Sequence, residues 1–135
     1  MKSAKVFAAL LLFISFLFTN CSPDRDYLFT TDEIITRGNW DVEFFVDDNK
    51  TAAFNNYSFQ FNANGKVYGT DGTKSVEGNW NVIRDVDRSD VLTINMNEQD
   101  NVNELSNAWS VKAKSNEAFT FQAKGNTTEF RLRKL

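Results

Sequence analysis

Tyr57-Ser58-Phe59-Gln60-Phe61-Asn62-Ala63-Asn64-Gly65 is the run that decides how this chain is read. Aromatic side chains recur at every second position with polar residues between them, which puts the rings on one side of an extended strand and the polar groups on the other. Asn64-Gly65 then supplies a tight reversal, since Gly reaches positive φ at no steric cost and Asn tolerates it. An amphipathic strand followed by a hairpin turn is the unit from which the rest is assembled.

Working outward, the same alternation returns along the chain. Trp40, Val42, Phe44 and Val46 share a face opposite Asp41 and Glu43. Val76, Trp80 and Val82 alternate with Glu77, Asn79 and Asn81; Leu92, Ile94 and Met96 alternate with Thr93 and Asn95. Trp109, Val111 and Ala113 follow, then Phe119 and Phe121, then Phe130 and Leu132 between Glu129, Arg131 and Arg133. Phe45, Tyr68 and Ile83 fall off phase and are expected to point outward.

Between these segments lie turn signals: residues 47–50, Asn64-Gly65, Asp71-Gly72, residues 87–90, Ser115-Asn116 and Gly125-Asn126. Spacings this short suit hairpins and leave no room for the crossover helices a parallel sheet needs. With a weaker strand at 66–70, the pattern predicts an all-β chain: an eight-stranded antiparallel meander that forms a barrel or half-barrel. Two short helical turns are predicted as well. One covers 31–36, with Thr30 or Thr31 as cap and Asp32 and Glu33 in its first turn; the other covers 98–105.

The first residues carry an address. Lys2 and Lys5 precede an apolar run over 6–18 that is too short to span a bilayer, and Cys21, the single cysteine, follows it. This order resembles a bacterial lipoprotein precursor, although Phe18 and Asn20 depart from the usual motif before the cysteine. The resemblance implies a signal peptide over 1–20, a lipidated Cys21 with a polar tether over 21–30, and a folded domain over 31–135. Palmitate-class acyl chains on Cys21 would attach the protein to the bacterial outer membrane, facing the periplasm or the cell surface. More than one chain is needed for a stable hold, because each buried CH₂ contributes only about 0.8 kcal/mol.

Without residues 1–20 the chain keeps thirteen basic and eighteen acidic residues, a net charge of −5. A mildly acidic surface with scattered lysines argues against nucleic acid as a partner. The high aromatic content predicts a compact core.

Gly38-Asn39-Trp40-Asp41-Val42 and Gly78-Asn79-Trp80-Asn81-Val82 are near copies, and Trp109-Ser110-Val111 repeats the end of the pattern. Glycine would admit a kinked start to the strand, and tryptophan would plug the end of the interior. These features, with the Tyr57-x-Phe59-x-Phe61 strand and the closing Phe130-Arg131-Leu132, resemble the lipocalin-like lipoproteins of bacteria over residues 38–135. The resemblance implies a barrel that holds a small hydrophobic molecule, with Tyr57, Phe59, Phe61, Trp80, Trp109, Phe119 and Phe121 as wall candidates. It also implies that Arg131 or Arg133 packs across Trp40 by a cation–π contact at the barrel end.

Chemistry is sparse. The chain has no histidine, the commonest general base and transition-metal ligand. A lipidated Cys21 leaves no thiol nucleophile. No catalytic residue, cofactor or metal is therefore expected. Asp85-Val86-Asp87-Arg88-Ser89-Asp90 echoes the start of a calcium loop but lacks the glycine at its sixth place and the glutamate at its twelfth, so a solvated hairpin is expected there. Two non-enzymatic functions stay open: a ligand-binding barrel, or a structural or protein-interaction lipoprotein whose barrel is filled by its own side chains.

Overall fold

The computed structural model describes residues 29–45, 51–97 and 101–135, the side chain of Phe44 excepted. The expected leader, Cys21 and the tether up to residue 28 fall outside these, as do Val46, the turn at 47–50 and residues 98–100.

A short helix α1 (Thr31–Ile35) leads into β1 (Asn39–Phe45), β2 (Ser58–Phe61), β3 (Lys66–Thr70), β4 (Ser75–Arg84) and β5 (Asp90–Met96). A 3-10 helix (Asn101–Leu105) then precedes β6 (Asn107–Lys114), β7 (Ala118–Ala123) and β8 (Glu129–Lys134). Each strand pairs antiparallel with the next, and β8 pairs with β1, so the eight strands form a closed barrel in meander order. The predicted all-β, eight-stranded architecture is present, and closure leaves no half-barrel edge.

The predicted helical turns are present in the same places. Thr30 caps α1: its backbone N–H donates to Glu33 Oε2 at 2.8 Å and its hydroxyl donates to the same oxygen at 3.0 Å. Those bonds hold the Glu33 carboxyl below the usual carboxylate range, the backbone bond first. Of the second predicted turn, over 98–105, the described residues show a 3-10 helix, Asn101–Leu105.

Alternation holds until two strands each insert one residue. Val42 pairs with Leu132, but Phe44 pairs with Arg131 and Phe45 with Phe130, so the register slips at Glu43. Likewise Val111 pairs with Phe121, whereas Ala113 pairs with Thr120 and Lys114 with Phe119. A bulge flips the face of every residue beyond it. Two expectations are corrected for that reason. Phe45, expected outside, is buried at 1% exposure, and Ala113, expected inside, is exposed while Lys114 turns toward the barrel rim. Tyr68 and Ile83, which precede no bulge on their strands, do face outward.

Antiparallel order sorts the connections between two ends. The helix end holds α1, the β2–β3 turn, the β4–β5 hairpin, the β6–β7 turn and the C-terminus. The far end holds residues 51–57, the β3–β4 turn, the 3-10 helix and the β7–β8 turn. No helix among the described residues is long and apolar enough to cross a membrane.

Candidate functional site

The predicted wall residues converge on the interior, and they fill it. Phe59, Phe61, Trp109, Phe119 and Phe121 are at most 2% exposed, and Trp80 is 8% exposed. They meet one another and their neighbours ring to ring. Phe119 stacks on Phe121 at 5.3 Å between centroids, Phe121 on Phe130 at 4.6 Å, and Phe130 and Trp109 meet in a T-shaped pair at 4.5 Å. Such pairs contribute about 0.5–1.5 kcal/mol each beyond the area they bury. A void large enough for a ligand would leave its lining uncovered, and these rings are covered by each other. Tyr57 alone of the seven is half-buried; it stacks on Phe59 beside a shallow depression that includes Asp41, Val42 and Leu135.

Each end of this core is closed by a short helix tied to a tryptophan. At the helix end, Ile34 and Ile35 are at most 1% exposed, and the Trp40 indole N–H donates to the Ile35 carbonyl at 2.8 Å. At the far end, Val102 and Leu105 are buried as well, and the Trp109 indole N–H donates to the Leu105 carbonyl at 2.8 Å. Phe54 completes the far plug, in contact with Phe45 and Phe59. Trp80 plays a related part on the wall: its indole N–H is shared by the carbonyls of Asn62 and Lys66, which pins the β2–β3 turn.

The two Gly-Asn-Trp copies use glycine for different reasons. Gly38 has φ of +124°, so its backbone makes the kink that starts β1. Gly78 lies inside β4, where a Cβ would come within 2.5 Å of the Asn95 carbonyl oxygen; it permits close approach of two strands.

The expected cation–π contact at Trp40 is absent, and the pleat explains why. Phe130 and Leu132 point inward, so Arg131 and Arg133 must point outward. Arg133 Nη2 lies 3.0 Å from Asp41 Oδ2, and Arg131 Nη2 lies 2.9 Å from Glu129 Oε1. Trp40 is covered instead by Phe119, edge to face at 5.2 Å.

A polar cluster that the sequence did not single out sits on the rim of the helix end. Thr31 is fully buried, and its hydroxyl donates to Asp90 Oδ2 at 2.5 Å. Lys114 Nζ lies 3.4 Å from the same oxygen, and Arg84 Nε lies 3.6 Å from Asp90 Oδ1. Burial alone would push the Asp90 carboxyl up, but the Thr31 hydrogen bond and the Lys114 and Arg84 charges together outweigh it and hold the group below the usual carboxylate range. Beside this cluster a groove of about 430 Å³ opens, lined by Arg84, Arg88, Asp90, Val111, Lys112, Ala113 and Lys114. It exists because β6 outruns its partner: the last β5–β6 pair is Val91 with Ser110, and residues 111–114 continue alongside the β4–β5 hairpin without pairing to it.

The acidic hairpin at 85–90 does not gather its carboxylates. Asp85 binds Lys124 at 2.6 Å, Asp87 accepts from the Ser89 hydroxyl and amide, and Asp90 turns to Thr31. Among the described residues no three acidic groups converge on a metal-sized space.

No family model matches the chain, and no curated protein does. Among solved structures, the crystal structure of a DUF4847 family protein from Bacteroides vulgatus is similar, with a TM-score of 0.56 and 16% identity over 77% of this chain and 96% of that one. A likeness at that identity extends to the fold and no further.

Proposed function

We propose that this protein is a lipid-anchored envelope protein, held by acyl chains on Cys21 at a bacterial outer membrane. In this reading its lipocalin-like barrel is a filled scaffold that works through its outer surface and not as a carrier of an enclosed ligand. The observation that carries the reading is the interior itself. Rings proposed as walls for a hydrophobic molecule occupy that volume themselves, with both mouths plugged by Ile34 and Ile35 on one side and Phe54, Val102 and Leu105 on the other. An eight-stranded barrel is narrow enough for side chains to fill completely.

The outer surface supports a peripheral role. Tyr68, Asn79, Asn81, Ile83, Asn95, Arg131 and Arg133 face solvent, a mixed polar set. A barrel that spans a membrane has the reverse arrangement, with an apolar band outside and polar residues within.

Native mass spectrometry of the full chain purified from bacterial membranes tests both halves of the proposal. The expected result is acyl mass on Cys21, release from the membrane fraction by Cys21→Ser, and no co-purifying apolar molecule. Retention of a hydrophobic small molecule through purification would restore the carrier reading. An unmodified Cys21 would remove the anchor.

A further inference from the structure

We propose that the groove at the helix end binds the phosphate of an anionic lipid headgroup and thereby seats the barrel with α1 toward the bilayer. The proposal rests on the lipid-anchored reading for its geometry, and on the groove's own charges for its chemistry.

Four cations, Arg84, Arg88, Lys112 and Lys114, line the groove against a single carboxylate, Asp90. Asp90 is already divided among Thr31, Lys114 and Arg84. Arg88 and Lys112 are exposed, and neither has an ion-pair partner among the described residues. Of the nearby carboxylates, Asp85 is paired with Lys124, and Asp87 and Glu33, which keep their charge while accepting from Ser89 and Thr30, do not line the groove. A local excess of positive charge therefore stands on a chain that is acidic overall. Arg88 sits at the hairpin tip with φ of +68°, and Lys112 is the residue inserted by the β6 bulge, so both are presented by fixed backbone features.

Position supplies the second argument. Seven residues lie between Cys21 and Phe29, and the eight steps from one to the other can reach at most about 29 Å. Thr31, just beyond, touches two of the groove residues, Asp90 and Lys114. A Cys21 anchored in lipid thus keeps the groove within reach of the headgroup layer, whose anionic lipids each basic residue would favour by about fivefold in affinity.

Vesicle co-sedimentation of residues 22–135, which carry the closed barrel and its core without the anchor, tests this. Expected is binding to vesicles of phosphatidylcholine mixed with phosphatidylglycerol and none to phosphatidylcholine alone. The double variant Arg88→Asn/Lys112→Gln, with Asn chosen to accept the positive φ, should bind roughly thirtyfold more weakly at an unchanged melting temperature. A charge-matched pair away from the groove, Lys74→Gln/Arg131→Gln, should bind as the parent does. Equal binding to both vesicle types, no binding to either, or an equal loss in the matched pair would overturn the proposal. Inorganic phosphate and glycerol phosphate, titrated by NMR, distinguish the source: if they shift the Arg88 and Lys112 amides as strongly as the vesicles do, the ligand is a soluble phosphate and membrane seating is wrong. Because the tested chain lacks Cys21, this result is independent of whether Cys21 is acylated in cells.

Discussion

The two ends of the barrel are closed by the same device made from different chemistry. At each, a short helix lays apolar side chains over the core, and its last carbonyl accepts an indole N–H from a strand tryptophan at 2.8 Å. Beyond that likeness they diverge. Among the described residues the far end is sealed by Phe54, Val102 and Leu105, whereas the helix end adds the Thr31, Asp90 and Lys114 cluster and opens onto a cationic groove. Closure is thus a packing problem solved twice, and among the described residues only one solution builds an ion-paired cluster into the plug. If the surface is where this protein works, the cationic groove of the helix end offers a feature to recognise.

Removing either tie tests whether the two closures are equivalent in strength. Trp40→Ala and Trp109→Ala each delete a fully buried ring and should each destabilise by about 3–5 kcal/mol, measured by urea unfolding. Near-equal losses are expected. A loss confined to one of them would mean that the other plug holds without its tryptophan. Trp40→Phe and Trp109→Phe separate ring from hydrogen bond, since each leaves a buried carbonyl without a donor, and should cost about 1–3 kcal/mol. If either variant matched the parent, the indole N–H would be incidental to closure.

Most of the barrel was legible because period-two alternation reports directly on which side chains face the core, and the turns between strands are short. Trp80, Leu92, Phe119, Phe121 and Phe130 were all readable as interior this way. What was not legible is where that period breaks. Nothing in Asp41-Val42-Glu43-Phe44-Phe45 announces that Glu43 is an inserted residue, so the pattern placed Phe45 outside; the same holds for Lys112, whose insertion turns Lys114 toward the rim. Phe54 lies between strands, where no alternation exists to read. The groove was missed because its cations come from two separate segments that only the curl of the sheet brings together. Arg84 and Arg88 in one hairpin, with Lys112-x-Lys114 on another strand, were the available signal.

Acid should separate the two ends more gently. Asp90 is held below the usual carboxylate range in the folded barrel, so its contribution is present at neutral pH and is lost as pH falls below about 4, the ordinary carboxylate value, and on through its lowered folded value. Glu33, at the same end, titrates in the same direction. Among the described residues the far-end plug is apolar, and the carboxylate held low at that end, Asp71, bonds the amides of Thr73 and Lys74 in its own turn. Hydrogen exchange should therefore show the Ile34 amide losing protection at acid pH before that of Ser106. Asp90→Asn should cost about 1 kcal/mol at neutral pH and flatten that acid dependence. Simultaneous loss at both ends would show that the barrel opens as one unit and that Asp90 does not govern the helix end.

The smallest expected effect concerns the outer wall beside Trp40, where a basic residue on the last strand has two conceivable partners. If Arg133 packed on the indole, Arg133→Ala would expose the ring, shift tryptophan emission to longer wavelength and weaken the helix end. The pleat forbids that arrangement while Phe130 and Leu132 face inward, and the guanidinium instead bonds Asp41 from a position 56% exposed to solvent. Exposed pairs of this kind are screened by water and salt and contribute little. Arg133→Ala should therefore leave the emission maximum unchanged and shift the melting temperature no more than replicate preparations differ, while Trp40→Phe alters both. A red-shifted emission in Arg133→Ala would place the guanidinium on the ring after all and undo the register read for β8.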